Sequence, residues 1–149
     1  MDVRKAVETE ASARFEGADG FVDLEAWRFH AGERILHARP MGYLLHEELV
    51  SMMSFLVDDP RFGATLPTLW NFRDFDFTAY SASEFRTHAF ILPRFPGRAG
   101  TKRAYLVDSE TAFGTLRMFQ GTASGFSFED QDNMMVSYNI EELVEWLIR

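Results

Sequence analysis

Four cations fall within the ten residues RFPGRAGTKR: Arg94, Arg98, Lys102 and Arg103. Guanidinium and ammonium donors pair with carboxylate and phosphate, so this cluster could seat an anionic headgroup or an acidic partner. The plainer reading is a solvated loop. Gly97-x-x-Gly100-Thr-Lys102 is not a phosphate loop, because it precedes a strand, whereas phosphate loops follow one and open a helix. A second set is Ser81 and Ser83 in YSASEF. Phosphate on a serine at a helix start would meet free N–H groups and a favourable dipole. Against that, Ser81 and Glu84 spell an S-x-x-E capping box, in which the serine holds the helix start. A third set is Phe113, Gly114, Met118 and Phe119, which could line an apolar pocket or an interface. A helical glycine costs about 1 kcal/mol relative to alanine, so Gly114 suggests close approach of a ligand or of the sheet.

The histidines suggest less. His30 and His37 have no carboxylate at metal-ligand spacing, and in the register below Arg28 opposes His37, so no metal is expected. His88, on an apolar helix face, reads as an interior hydrogen-bonded histidine. No G-x-S-x-G motif and no Ser-His-Asp spacing is present, and no catalytic residue or cofactor is assigned.

Composition narrows the classes further. The chain has 149 residues, 46% of them hydrophobic, and fifteen Phe. That is enough for one domain with a real core. A net charge of −8 disfavours nucleic acid, whose phosphates would be repelled. No stretch approaches the roughly 20 apolar residues of a membrane helix. The N-terminus lacks the apolar run of a signal peptide, and cysteine is absent. A cytoplasmic location is therefore expected.

The elements that must position these groups follow from periodicity. Residues 1–20 are weakly patterned and read as a tail or loosely attached element, leaving a single domain over 21–149. In WRFHAGERILHARP, Gly32 suits the first central position of a type II′ turn. That register pairs Trp27 with Ala38, Arg28 with His37, Phe29 with Leu36 and His30 with Ile35. It places Trp27, Phe29, Leu36 and Ala38 on one face. Leu45, Leu49, Met52, Met53 and Leu56 share one helical face, which ends before Pro60. A strand over 68–72 follows. A second helix opens near Ser81 with Phe85, His88, Ala89 and Leu92 on one face, stopped by Pro93. A strand over 104–108 leads to a third helix capped by Ser109, with Phe113, Leu116 and Phe119 on one face. A strand over 134–138 leads to the last helix, opened by Asn139 with Glu142 three positions later. Its stripe is Ile140, Leu143, Val144 and Leu147. Phe55 and Phe90 fall off the main stripes, which would suit a homodimer contact or an apolar cleft. Strands alternating with helices imply right-handed crossovers. The expectation is an α/β fold with a mostly parallel five-stranded sheet, an antiparallel N-terminal hairpin and about four helices.

This order, from Trp27 to Leu147, resembles the STAS or SpoIIAA-like superfamily. The resemblance is carried by the hairpin and by the helix start around Gly42, Leu44, Glu47 and Glu48. It also rests on "LWNFRDF", on "RAYLVDSETAFGTLRMFQ" and on "EELVEWL". Phe113, Gly114, Arg117, Met118 and Phe119 resemble the Phe-Gly-x-x-Arg-Met-aromatic helix of SpoIIAA-like proteins of unassigned function. The superfamily includes the CRAL-TRIO lipid-binding domains. The resemblance implies a non-enzymatic regulatory domain that docks a protein partner, or alternatively a small binding protein for an apolar or lipid-like anion. Anti-sigma antagonists carry a phosphorylated serine in a motif close to D-L-S-x-V-x-F-M-D-S-S-G. Asn71 to Phe77 follow its first seven positions. Ala79 then stands in the Asp position, Tyr80 in the phospho-serine position and Ala82 in the Gly position, with Ser81 one place late. The resemblance therefore marks Tyr80, Ser81 and Ser83 as the switch positions to inspect.

Overall fold

The computed structural model describes residues 8–63, 65–89, 91, 94, 95, 98, 100–125 and 133–149, the side chains of 82, 85, 86, 89 and 119–125 aside. Phe85, Phe90, Leu92, Pro93 and Phe119, named above for their side chains or turns, lie outside the described positions.

Among the described residues six strands form one sheet in sequential order: β1 (Glu8–Glu16), β2 (Asp19–Arg28), β3 (Arg34–Tyr43), β4 (Thr68–Asn71), β5 (Arg103–Leu106) and β6 (Met134–Ser137). β1, β2 and β3 pair antiparallel with one another, and β3 to β6 pair parallel. The described helices are α1 (His46–Asp58), α2 (Ala82–Ala89), α3 (Glu110–Gly125) and α4 (Ile140–Ile148), with one 3-10 turn over Phe77–Ala79.

The sheet has six strands rather than five because Glu8–Glu16, in the segment read as a tail, is β1. Its signal is weak by composition. Only Ala11, Ala13 and Phe15 reach the core, and the alternate positions are polar. Two alanines bury little area, so the alternation supplies the facing and the ladder to β2 supplies the bonds.

The hairpin register also differs from the expected one. Trp27 pairs with Ile35, Ala26 with Leu36, Glu25 with His37 and Leu24 with Ala38. The reason is the turn. Gly32 N donates to Phe29 O at 3.0 Å, Phe29 N donates to Glu33 O at 2.9 Å, and Gly32 has φ of 95°. This is a three-residue loop, His30-Ala31-Gly32, with glycine in the left-handed position of a bulge rather than inside a type II′ turn. The three-residue slip is odd, so it reverses which residues share a face. Leu36 and Ala38 point to the side of α1, whereas Trp27, Phe29 and Ile35 point to the side of α4.

Each face of the sheet then has its own core. Val22, Leu24, Leu36 and Ala38 pack with Met52, Met53 and Leu56 of α1. Tyr105, Val107 and Met134 continue that face against Ala112 and Leu116 of α3. Ile35, Leu69, Ala104 and Leu106 bury the opposite face against Leu143, Val144 and Leu147 of α4. Sequential strand order with right-handed crossovers keeps the connecting helices on one side. The last helix follows the last strand and is free to cover the other side.

The helix starts are built locally. Glu48 accepts from Leu45 N at 2.8 Å and from Ala18 N at 2.7 Å, so it caps α1 and ties down the β1–β2 turn. Asn139 accepts from Glu141 N and Glu142 N and opens α4.

Candidate functional site

Between the α1 side of the sheet and the helices lies a cavity of about 150 Å³. Strand alternation decides what it contains. Thr68 and Trp70 of β4 share a face with Arg103 and Tyr105 of β5, because Thr68 pairs with Arg103 and Trp70 with Tyr105. Leu36, Met52, Leu56, Trp70, Phe77 and Leu116 supply much of its apolar wall.

The polar groups gather at the end where β4 and β5 begin. Arg98 and Arg103 are 3% and 5% exposed and both line the cavity. Arg98 Nη1 donates to Leu66 O at 3.0 Å, and Nη2 donates to Thr68 Oγ1. Burial pushes the Arg98 pKa down to about 10, and the neighbouring Arg103 charge adds to the effect. Burial also lowers that of Arg103, against the pull of Tyr105. Burial raises the Tyr105 phenol, opposed by both arginines. Two cations and a phenol are thus held together out of water, where an anion is worth most. Among the described residues lining the cavity there is no carboxylate.

At the other end, where β3 and β4 finish, Tyr80 and His88 complete the wall. Leu44 N donates to Tyr80 Oη at 2.7 Å, and that hydroxyl lies 3.3 Å from Gly42 O. Tyr80 stacks on Tyr43 and Phe75 and meets His88 edge-on. His88 stacks on His46 at 6.0 Å. Burial, then the His46 charge, lowers the His88 pKa to about 4, against Glu84. His88 is therefore uncharged at pH 7.

The four loop cations separate. Arg98 and Arg103 turn inward. Lys102 Nζ donates to Trp146 O at 2.9 Å and to Arg149 O at 3.3 Å, where it satisfies the C-terminal carbonyls of α4. Arg94 is exposed. The signal for Arg103 was its phase: Arg103, Tyr105 and Val107 alternate toward one face. Beginning the strand at Ala104 left Arg103 in the loop and hid this. Arg98 had no such signal, since a loop carries no period.

Of the three positions that the resemblance marks, Tyr80 and Ser81 have their side chains hydrogen-bonded. Ser81 N donates to Glu84 Oε1 at 3.0 Å and Glu84 N donates to Ser81 Oγ at 3.1 Å, the reciprocal bonds of a capping box. Ser81→Ala is expected to cost about 1 kcal/mol as a lost cap, measured by urea denaturation. Tyr80 is partly buried with its hydroxyl bonded, and its pKa is pushed up to about 12 by burial. Ser83 is exposed in the first turn of α2.

The helix expected to line a pocket reaches this cavity through Leu116. Phe113 instead stacks on Tyr138 at 5.4 Å, and Gly114, Arg117 and Met118 are exposed. A Cβ built at Gly114 meets nothing within 4 Å among the described residues, so the sheet does not approach it there. The reason is phase: Ala112 and Leu116 take the inward positions, and Gly114 falls between them on the outer side. Gly114→Ala is accordingly expected to stabilise the protein by about 1 kcal/mol, read as a raised melting temperature.

The histidines do not share a site. His30 is exposed at the hairpin turn, whereas His37 is buried on the α4 side of the sheet. His37 stacks on Trp27 at 4.2 Å, and its Nε2 lies 3.3 Å from Asn71 Nδ2. Glu25 Oε1 lies 3.3 Å from Nδ1, outside hydrogen-bond geometry. Among the described residues no group of three or more metal-ligating side chains converges, and no helix is long and apolar enough to cross a membrane.

No protein family, no curated protein and no solved structure matches this chain.

Proposed function

We propose that this protein is a small binding protein for a ligand with an apolar body and an anionic head. The observation that carries the reading is the cavity, about 150 Å³, walled by aromatic and aliphatic side chains with Arg98 and Arg103 at one end. Concave apolar sites with a few convergent polar groups are the usual form of a ligand site. Among the described residues that line the cavity no nucleophile, base and orienting group converge; the role proposed is binding.

Native mass spectrometry of freshly purified protein tests this directly. The expected result is a noncovalent adduct that denaturation releases. Clean apoprotein, together with no benzene-induced shift of the Met52 methyl or Leu116 methyl resonances, overturns the reading.

A second reading is a regulatory docking module of the SpoIIAA-like kind. The sequential parallel strands with α1 and α3 on one face support the resemblance stated above. The surface that favours docking is on α3 and after β6, where Met118 is 47% and Tyr138 53% exposed. Single exposed apolar residues are common, however, so the cavity is the stronger observation.

A further inference from the structure

The reading as a binding protein leaves open what kind of apolar body the cavity would take, and the inference that follows rests on that reading. Volume sets the size. An apolar space of about 150 Å³ admits one benzene-sized group, and a diacyl lipid or a long single chain exceeds it. The wall sets the chemistry. Among the described residues, the rings of Trp70, Phe72, Phe75, Phe77, Tyr80 and Tyr105 all line the cavity. The path of the chain gathers them. Trp70 and Phe72 are two apart in an extended segment and so share a face. A tight turn follows, in which Phe75 N donates to Phe72 O at 3.2 Å and Asp74 takes a φ of 66°. That turn brings Phe75 back to 5.3 Å from Phe72 and 4.9 Å from Phe77, edge-on to both. Trp70 and Tyr105 stack on Phe72, each at 6.0 Å. These separations are those at which ring edges and faces attract. The wall therefore presents both edges and faces to whatever it holds. Met52 and Met53 enter the same cavity from α1, and a thioether is a favourable neighbour for an aromatic ring. A saturated body of the same size would bury its area here but would gain neither the ring–ring nor the sulfur–ring attraction.

We propose that the cavity selects a monocyclic aromatic body over a saturated or a fused-ring one, and seats it between the rings of Phe72, Phe75 and Phe77 and the thioethers of Met52 and Met53. The selection belongs to the body of the ligand and is independent of its head.

Titration of the full chain at pH 7.5, read on the Met52 and Leu116 methyl resonances, separates the parts of this proposal. The probes are benzene, cyclohexane and naphthalene. Cyclohexane and naphthalene both carry more apolar area than benzene, so a site that responded to area alone would bind both more tightly. Benzene is instead expected to bind at least about threefold more tightly than cyclohexane, the ring–ring and sulfur–ring contacts outweighing the area. Naphthalene is expected to bind more weakly than benzene, because the second ring exceeds the space. Phe75→Leu is expected to remove most of the preference over cyclohexane while benzene still shifts the Met52 methyl, which itself reports a folded cavity. Phe113→Leu is the control: its ring stacks on Tyr138, away from the lining, and the preference should be unchanged. Cyclohexane binding as tightly as benzene to the native chain would overturn the aromatic selection and leave the cavity reading standing. A preference that survives Phe75→Leu in full would overturn the assignment to these rings. Naphthalene binding as tightly as benzene would overturn the size limit. No shift with any probe, in a protein whose native mass shows an adduct, would overturn the aromatic class alone. No shift and no adduct would sink the ligand-binding reading with it.

Discussion

Acidification from pH 6.5 to pH 4 is expected to remove about 3 kcal/mol of stability through His37 alone. Burial holds the His37 pKa down at about 4, with Arg73 and then Arg39 adding to the effect and Asp23 opposing it. The unfolded chain takes up this proton near pH 6.5, whereas the folded protein refuses it until about pH 4. The stabilisation is therefore complete above pH 6.5 and is lost as the pH falls through that window. At about 1.4 kcal/mol per pH unit, the window is worth about 3 kcal/mol. His88 acts in the same direction, from the same ordinary value to about 4. It is only partly buried, so solvent screening makes its share smaller. Asp59 and Glu84 are held below the usual carboxylate range, by Arg61 and by Tyr43 respectively, so their losses come at lower pH. Urea midpoints between pH 7 and pH 4.5 read the effect. His37→Gln should flatten the slope and His88→Gln should flatten it less. A midpoint that does not fall with pH in the native chain contradicts the burial of an uncharged His37.

Gly42→Ala is the substitution expected to do most damage for its size, at about 3 kcal/mol. Gly42 has φ of 76°, and an added Cβ would stand 2.5 Å from Asp19 O and 2.9 Å from Gly20 Cα. The left-handed backbone costs about 1–2 kcal/mol for a residue with a side chain. The clash adds about as much again, because it is against the backbone of β2 and not the end of a flexible side chain. Gly32→Ala is the matched control. Its φ is 95°, yet nothing lies within 4 Å of the added Cβ, so only the backbone strain applies. Thermal unfolding of the two variants should therefore differ clearly, with Gly42→Ala the lower. Equal losses would mean that the strands can part at Gly20 and Gly42. Gly42 also bears on the cavity, since Gly42 O and Leu44 N hold the Tyr80 hydroxyl in the wall.

The alternation of elements from Trp27 onward was legible because each helix carries one apolar stripe and each strand is bounded by turn residues. Met52, Met53 and Leu56 on α1, and Leu143, Val144 and Leu147 on α4, are buried at the spacing that the stripe requires. The capping pair Ser81 and Glu84 was legible for the same reason: a cap is a contact between residues three apart. Three features were not. β1 carries small residues inward, so its apolar signal is too faint to distinguish from a tail. The hairpin register turned on whether Gly32 sits inside the turn or closes it as a bulge, and both place a glycine at positive φ. The site was the least legible. Arg98 and Arg103 belong to one basic cluster in sequence, yet they line the same cavity while Lys102 caps a helix and Arg94 stays in solvent.

Periodicity, turns and caps are local, and the chain alone was enough to establish an α/β alternation and where its helices start. A cavity is not local. It depends on which strand face Arg103 occupies, on the parallel pairing that sets it beside Thr68, and on helices far apart in sequence failing to fill the space between them. Those are properties of packing, and they explain why two cations that looked like a solvated loop stand instead in the interior.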